Sequence, residues 1–215
     1  MHVQPLRLSR TTEPTGEPID AEAMKDFLRV SGTDEDTLIS ALIVGARRQA
    51  EQFLGRSLMT QTWTMYLDFW PRVSAGGWWD GVRDGAITDL SQGARQLDIP
   101  KPPLQSITSV KTYDDADVAT TFASSGYFVD ATSEPGRIVL RAGQAAPTGV
   151  RVANAIEVIF VSGYGAEGDD VPEDIVEGIK RMVSHLHENR GDEPDVAMKS
   201  SGAASLWGPH RIVRL

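Results

Sequence analysis

Three groups of residues carry side chains or spacings from which chemistry can be built. Gly163-Tyr164-Gly165-Ala166-Glu167-Gly168 is a formal G-x-G-x-x-G lying between an apolar run and a helical one. That spacing can set a pyrophosphate against a helix N-terminus. Such a site needs the helix to begin inside the glycine run, whereas Asp169, Asp170 and Pro172 intervene here and put two carboxylates where a phosphate would sit. A turn is the better reading. Asp114, Asp115 and Asp117 offer oxygen to a divalent cation, but they lack the spaced glycine and terminal glutamate of a calcium loop. Between two predicted strands they read as a solvated turn. His185 and His187 stand two residues apart on a predicted helix and face different directions, where a zinc pair wants an i, i+4 spacing. The first is placed beside the buried stripe and the second in solvent. His2 and His210 lie near the two ends, and no serine has a nucleophile-elbow context. No nucleophile, base and orienter come together, so the expectation is a protein that is not an enzyme, with no metal and no cofactor. The enzyme reading that rivals it is a small metal-dependent hydrolase using Asp114, Asp115, Asp117 and His185.

The remaining distinctive side chains are sticky rather than reactive. Trp78 and Trp79 lie on a glycine-rich stretch, and tryptophan is a favoured anchor at protein interfaces. A loop tucked on its own domain and a contact to a neighbouring subunit are equal alternatives there. Ser205, Leu206 and Trp207, then Arg211, Ile212, Val213, Arg214 and Leu215, form a tail more apolar than a disordered end. Partner binding is preferred to self-packing for that tail.

These side chains must be carried by a chain of mixed α+β pattern. Residues 1–19, with three prolines, read as a flexible or extended arm. Asp20 can cap a short helix over Ala21 to Val30. Thr33 and Asp36 then form a capping box for a long helix, whose apolar stripe runs Leu38, Ile39, Leu42, Ile43, Ala46, Ala50, Phe53 and Leu54. Gly55 supplies its left-handed stop. From Gln61 the period changes to two, with Trp63, Met65, Leu67 and Phe69 on one face. A long loop follows over 72–96. Strands are predicted over Gln96–Ile99, Ser106–Tyr113, Gly126–Asp130, Arg137–Leu140 and Ala155–Ser162, the last apolar enough to be central. Strands at hairpin spacing with no helix between them predict a largely antiparallel block. Pro172 opens a second long helix with a stripe of Ile175, Ile179, Met182, Val183 and Leu186, ended by Gly191. The expected division is an arm 1–19, a helical core from 20–57 and 171–191, an inserted β-rich domain 58–170, and an extended tail 192–215.

Composition narrows the function classes. A net charge of −9 opposes a protein that grips nucleic acid by neutralising phosphates. Zero cysteines exclude disulfides and thiolate chemistry, no apolar window is long enough to cross a bilayer, and the first residues show no secretory leader.

The ordered set of segments resembles the head–tail connector, or adaptor, proteins of long-tailed phages, prophages and gene transfer agents. The likeness runs from Leu28 to Trp63, through Ile99–Ile107 with Val110 and Tyr113, then Tyr127, Val129 and Glu134-Pro135-Gly136-Arg137-Ile138. It continues with Val158, Ser162-Gly163-Tyr164-Gly165, Val171-Pro172, His185 to Arg190, and Arg211 to Leu215. The resemblance implies a virion protein made in the host cytoplasm. It implies a ring of about twelve copies stacked beneath the portal protein, which lengthens the DNA channel and gives neck and tail proteins a platform. Double-stranded DNA would pass without specific binding. By the same analogy Ser205, Leu206, Trp207 and Arg211–Leu215 dock on the portal, while Arg47, Arg48 and Glu51 cross the seam between subunits. A neck or tail-completion protein of the same particle is the alternative. The long loop 72–96 departs from shorter relatives.

Overall fold

A computed structural model describes residues 7–71 and 95–212, and the chain divides into two units. The first comprises residues 1–13 and 61–162, the second 14–60 and 163–215. Among the described residues there are eight strands, all in the first unit, and five α-helices, all in the second. None of those helices is long and apolar enough to cross a membrane.

The first unit is built on a five-stranded antiparallel sheet and a three-stranded antiparallel one. In chain order the strands are β1 (Arg7–Thr12), β2 (Gln61–Leu67), β3 (Gln96–Asp98), β4 (Leu104–Tyr113), β5 (Ala119–Thr121), β6 (Tyr127–Asp130), β7 (Arg137–Leu140) and β8 (Ile156–Ser162). The larger sheet runs β1-β2-β8-β4-β5 and the smaller β3-β7-β6. The apolar β8 therefore holds the centre, as its composition predicts. The register sets Trp63 opposite Phe160, Met65 opposite Val158 and Leu67 opposite Ile156. These six side chains form one buried face, in a core shared with Leu97, Tyr127, Ile138 and Leu140 of the smaller sheet.

Of the two alternatives for the arm, residues 7–12 take the extended one, as the paired strand β1 and not as a flexible segment. RLSRTT has no apolar alternation, because it is an edge strand whose register is imposed by β2, with Arg7 opposite Tyr66 and Arg10 opposite Trp63. The long loop expected over 72–96, with Trp78 and Trp79, lies outside the described residues except for Arg95 and Gln96.

In the second unit the helices are α1 (Ala21–Leu28), α2 (Asp36–Leu54), α3 (Glu173–Glu188), α4 (Pro194–Ser200) and α5 (Ala203–Trp207). Asp20 caps α1 as predicted, accepting from the Ala23 N–H at 2.7 Å. The Thr33 capping box is not formed. α2 begins at Asp36, and that carboxylate is drawn instead into an ion pair with Lys25 at 2.8 Å. Gly55 stops α2 at φ +73°, its N–H reaching the Glu51 carbonyl. The stripes of α2 and α3 meet through Ile39, Ile43, Ala46, Ala50 and Leu54 against Ile175, Ile179, Met182 and Val183. The tail is not extended. Residues 194–207 fold into α4 and α5, which pack Ala197, Met198, Ala203 and Trp207 into this same core.

Candidate assembly site

The tail is anchored by one residue. Trp207 is fully buried, donates its indole N–H to the Ile175 carbonyl at 3.1 Å and lies against the Phe53 ring. Gly178 makes the space: a Cβ there would stand 2.2 Å from the Trp207 Nε1. The assignment of Trp207 to docking is therefore corrected, because its apolar area is already removed from water inside its own chain. Leu206 is half-buried against the same core, while Ser205 is exposed on α5. Sequence reading passed over Gly178, although a glycine inside a helix of good helix formers signals a close approach.

Beyond the anchor the contacts become polar. The Arg56 Nε donates to the His210 carbonyl at 2.6 Å, the His210 ring meets the Asp174 carboxylate, and the Ile212 N–H reaches the Leu54 carbonyl at 3.1 Å. The His210 bond holds the Asp174 carboxyl below the usual range. Arg211 is exposed, its guanidinium 5.2 Å from the centre of the Phe53 ring. Val213, Arg214 and Leu215 lie outside the described residues.

The three residues assigned to a subunit seam divide. Arg47 is 2% exposed, its Nε 2.6 Å from Glu17 and its Nη1 3.1 Å from Glu51. Glu51 is 3% exposed and also accepts the Leu58 N–H at 3.1 Å. Both are internal to their own unit, so their place at a seam is corrected: i, i+4 spacing kept them off the apolar stripe without making that face the outer one. Arg48 is exposed.

The G-x-G-x-x-G is a packing motif. The chain passes between the units three times, after Glu13, Thr60 and Ser162. On the helical side these passages run side by side, with Tyr164 N–H on the Leu58 carbonyl and Thr60 N–H on the Gly165 carbonyl. A Cβ on Gly163 (φ +133°) would lie 2.3 Å from the Met59 carbonyl oxygen, and one on Gly168 would lie 2.6 Å from the Pro18 oxygen. The glycines let backbones touch, only a 3-10 turn over Gly168–Asp170 starts among them, and α3 begins beyond them at Glu173.

The other candidates are committed locally. Asp114 accepts the N–H groups of Ala116 and Val118 in a turn, and Asp117 pairs with Arg151 at 2.8 Å. These belong to the β unit, whereas His185 belongs to the helical unit and bonds Asp192 at 2.8 Å. No group of three or more His, Cys, Asp or Glu side chains suited to a metal occurs among the described residues. His187 is not in solvent as expected: it is half-buried and bonds Glu35 at 3.0 Å. That bond, with Arg190 alongside, lowers the Glu35 pKa. On β8 the buried Glu157 takes the Tyr113 hydroxyl and pairs with Lys111. Burial and that carboxylate push both Tyr66 and Tyr113 upward. Buried Trp63 has Arg10 and Lys101 over its ring.

Among the described residues these arrangements offer surface and anchorage. Residues 19–112 match the family described as "Phage gp6-like head-tail connector protein". It is the family whose segments the sequence resembles. No curated protein gives a significant match. Among solved structures, a chain titled as the neck of an empty gene transfer agent particle, computed with C6 symmetry, aligns with TM-score 0.73 and 19% identity. It covers 97% of each chain. A chain from the virion of a native gene transfer agent particle gives 0.72 at 19%, covering 97% of this chain and 96% of that one. One from the neck of the native particle, computed with C12 symmetry, gives 0.69 at 19%, covering 97% of both. At that identity the likeness is one of fold. The connector-family match spans α1, α2, β2, β3 and most of β4.

Proposed function

We propose that this chain is a structural head–tail connector, a non-enzymatic adaptor at the neck of a phage-like particle. The observation that carries the reading is the connector-family match over residues 19–112, joined to a fold shared along nearly the whole chain with neck proteins of gene transfer agent particles. Copies form a closed ring, twelve by the family's habit, beneath the portal protein. The C12 symmetry of one similar neck supports that number. The ring extends the DNA channel and gives neck and tail proteins their platform. A chain of net charge −9 suits a bore that lets DNA pass without holding it.

Within this reading the docking residues are Arg211 to Leu215, of which exposed Arg211 lies over the Phe53 ring and the Ile212 N–H reaches the Leu54 carbonyl. Arg48 stands at the seam between copies, and Trp78 and Trp79 touch a neighbour. Truncation after Ile212 removes the last three residues and leaves Trp207 and its partners in place. Particles made with that chain should be filled heads lacking this protein when viewed by electron microscopy. Normal incorporation of the truncated chain would overturn the docking role, and a position away from the portal in intact particles would favour the neck or tail-completion alternative.

A further inference from the structure

Residues 208–212, which follow the Trp207 anchor, are strapped to their own chain, although the last two belong to the proposed docking set. Gly208, Pro209 and Arg211 are exposed and His210 and Ile212 half-buried, so little apolar area holds the strap down. Its bonds go to two helix ends. The Ile212 N–H takes the carbonyl of Leu54, the last residue of α2, where helix carbonyls lack an intrahelical partner. The His210 ring bonds Asp174 in the first turn of α3, and the buried Arg56 side chain holds the His210 carbonyl at 2.6 Å. Arg211 closes the strap by lying over the Phe53 ring.

The strap can part from the core that anchors it. Trp207 is sealed against α3 by burial and by its bond to the Ile175 carbonyl. A Cβ at Gly208 would meet no atom within 4 Å, so the first residue past the anchor is free to turn. Segments held by a few polar contacts and little buried apolar area open locally, without unfolding of the whole. While the strap is closed, the Arg211 guanidinium and the Ile212 N–H are both spent on their own chain. Neither can then meet a partner.

We infer, resting on the docking role proposed for Arg211 to Leu215, that residues 208–212 are a latch, closed on α2 and α3 in the free chain and released from Leu54 and Asp174 for docking. A Cβ on Gly55 would stand 4.0 Å from the Ile212 Cβ, within the separation of about 3.5–4.5 Å that a disulfide spans. The chain has no cysteine, so Gly55→Cys with Ile212→Cys locks the latch by a single bond. Filled heads lacking this protein should refuse the oxidised double variant and take up the same chain once it is reduced. Equal uptake of both forms overturns the latch, while the truncated chain still judges docking by itself. A pair that does not oxidise would place the strap elsewhere and overturn the latch as well. Gly55 stands at φ +73°, which a cysteine adopts only with strain. If the reduced variant therefore fails to assemble, hydrogen exchange in the unaltered chain decides. There the Ile212 amide should exchange at a rate indifferent to low urea, while that of Met182, buried in α3, quickens. His210→Ala should raise the Ile212 rate about fivefold, the worth of a partly exposed ion pair. Ile212 and Met182 exchanging in step, or an Ile212 rate unmoved by His210→Ala, would each overturn the latch.

Discussion

Single residues in this chain separate what holds the fold from what is left for assembly. Trp207→Ala removes a fully buried ring and should cost about 3–5 kcal/mol in urea unfolding. A Trp207 serving only as a docking anchor would leave the isolated chain's stability unchanged. Arg47→Met takes the guanidinium away from Glu51, itself 3% exposed, and from Glu17, and should cost about 3 kcal/mol. Arg48→Ala, at an exposed position, should stay within about 0.5 kcal/mol. A loss of particle incorporation in the Arg48 variant alone would then report on the seam rather than the fold. Asp130 offers a test by pH. Its carboxylate accepts bonds from Ser133, Thr132 and Arg137, which hold its pKa far below the usual range. A depressed folded pKa gives stability that is complete above the unfolded value of about 3.9 and lost as the pH falls through the folded one. Asp130→Asn should therefore lower the melting temperature at neutral pH, with the difference shrinking below about pH 4. A gap that stays constant into strong acid would remove the carboxylate from that role.

At the scale of elements, sequence legibility follows from where the stabilising contacts lie. α2, α3 and β8 carry their own signals, either a 3.6-residue stripe or an unbroken apolar run, and the structure places them within three residues of the predicted ends. β1 carries none, since its pairing comes wholly from β2 across more than fifty residues. α4 and α5, of seven and five residues, are too short to hold themselves, and they exist because Trp207 and Ala203 pack beneath α2 and α3. Hence a stretch that reads as a tail folds as part of the core. The candidate site was legible only as a group of apolar and basic residues. Which of them were spent internally depended on Gly178 and Phe53, distant in sequence. Gly45 poses the converse case: it sits within α2 with no atom near enough to exclude a side chain. Gly45→Ala should stabilise the isolated chain by about 1 kcal/mol in chemical denaturation, and a destabilised variant would reveal a backbone constraint that the helix geometry does not contain.

For the whole molecule the charge is unevenly shared. The helical unit carries 18 acidic against 11 basic residues, the β unit 12 against 10. Most of the surplus of negative charge thus lies on the unit that also carries the proposed docking segment. A ring multiplies that surplus by its copy number, and within about a Debye length, roughly 10 Å at 0.1 M salt, the field around it repels phosphate. Proteins that hold DNA through its backbone do the opposite, releasing counterions and binding more tightly as salt is lowered. This chain should therefore show no binding to duplex DNA by fluorescence anisotropy even at low ionic strength, whether isolated or assembled. A DNA affinity that strengthens steeply as salt is removed would require a local basic surface against the acidic balance of both units. A connector of that kind would grip its genome rather than guide it, and the account of a passive, acidic conduit would fail.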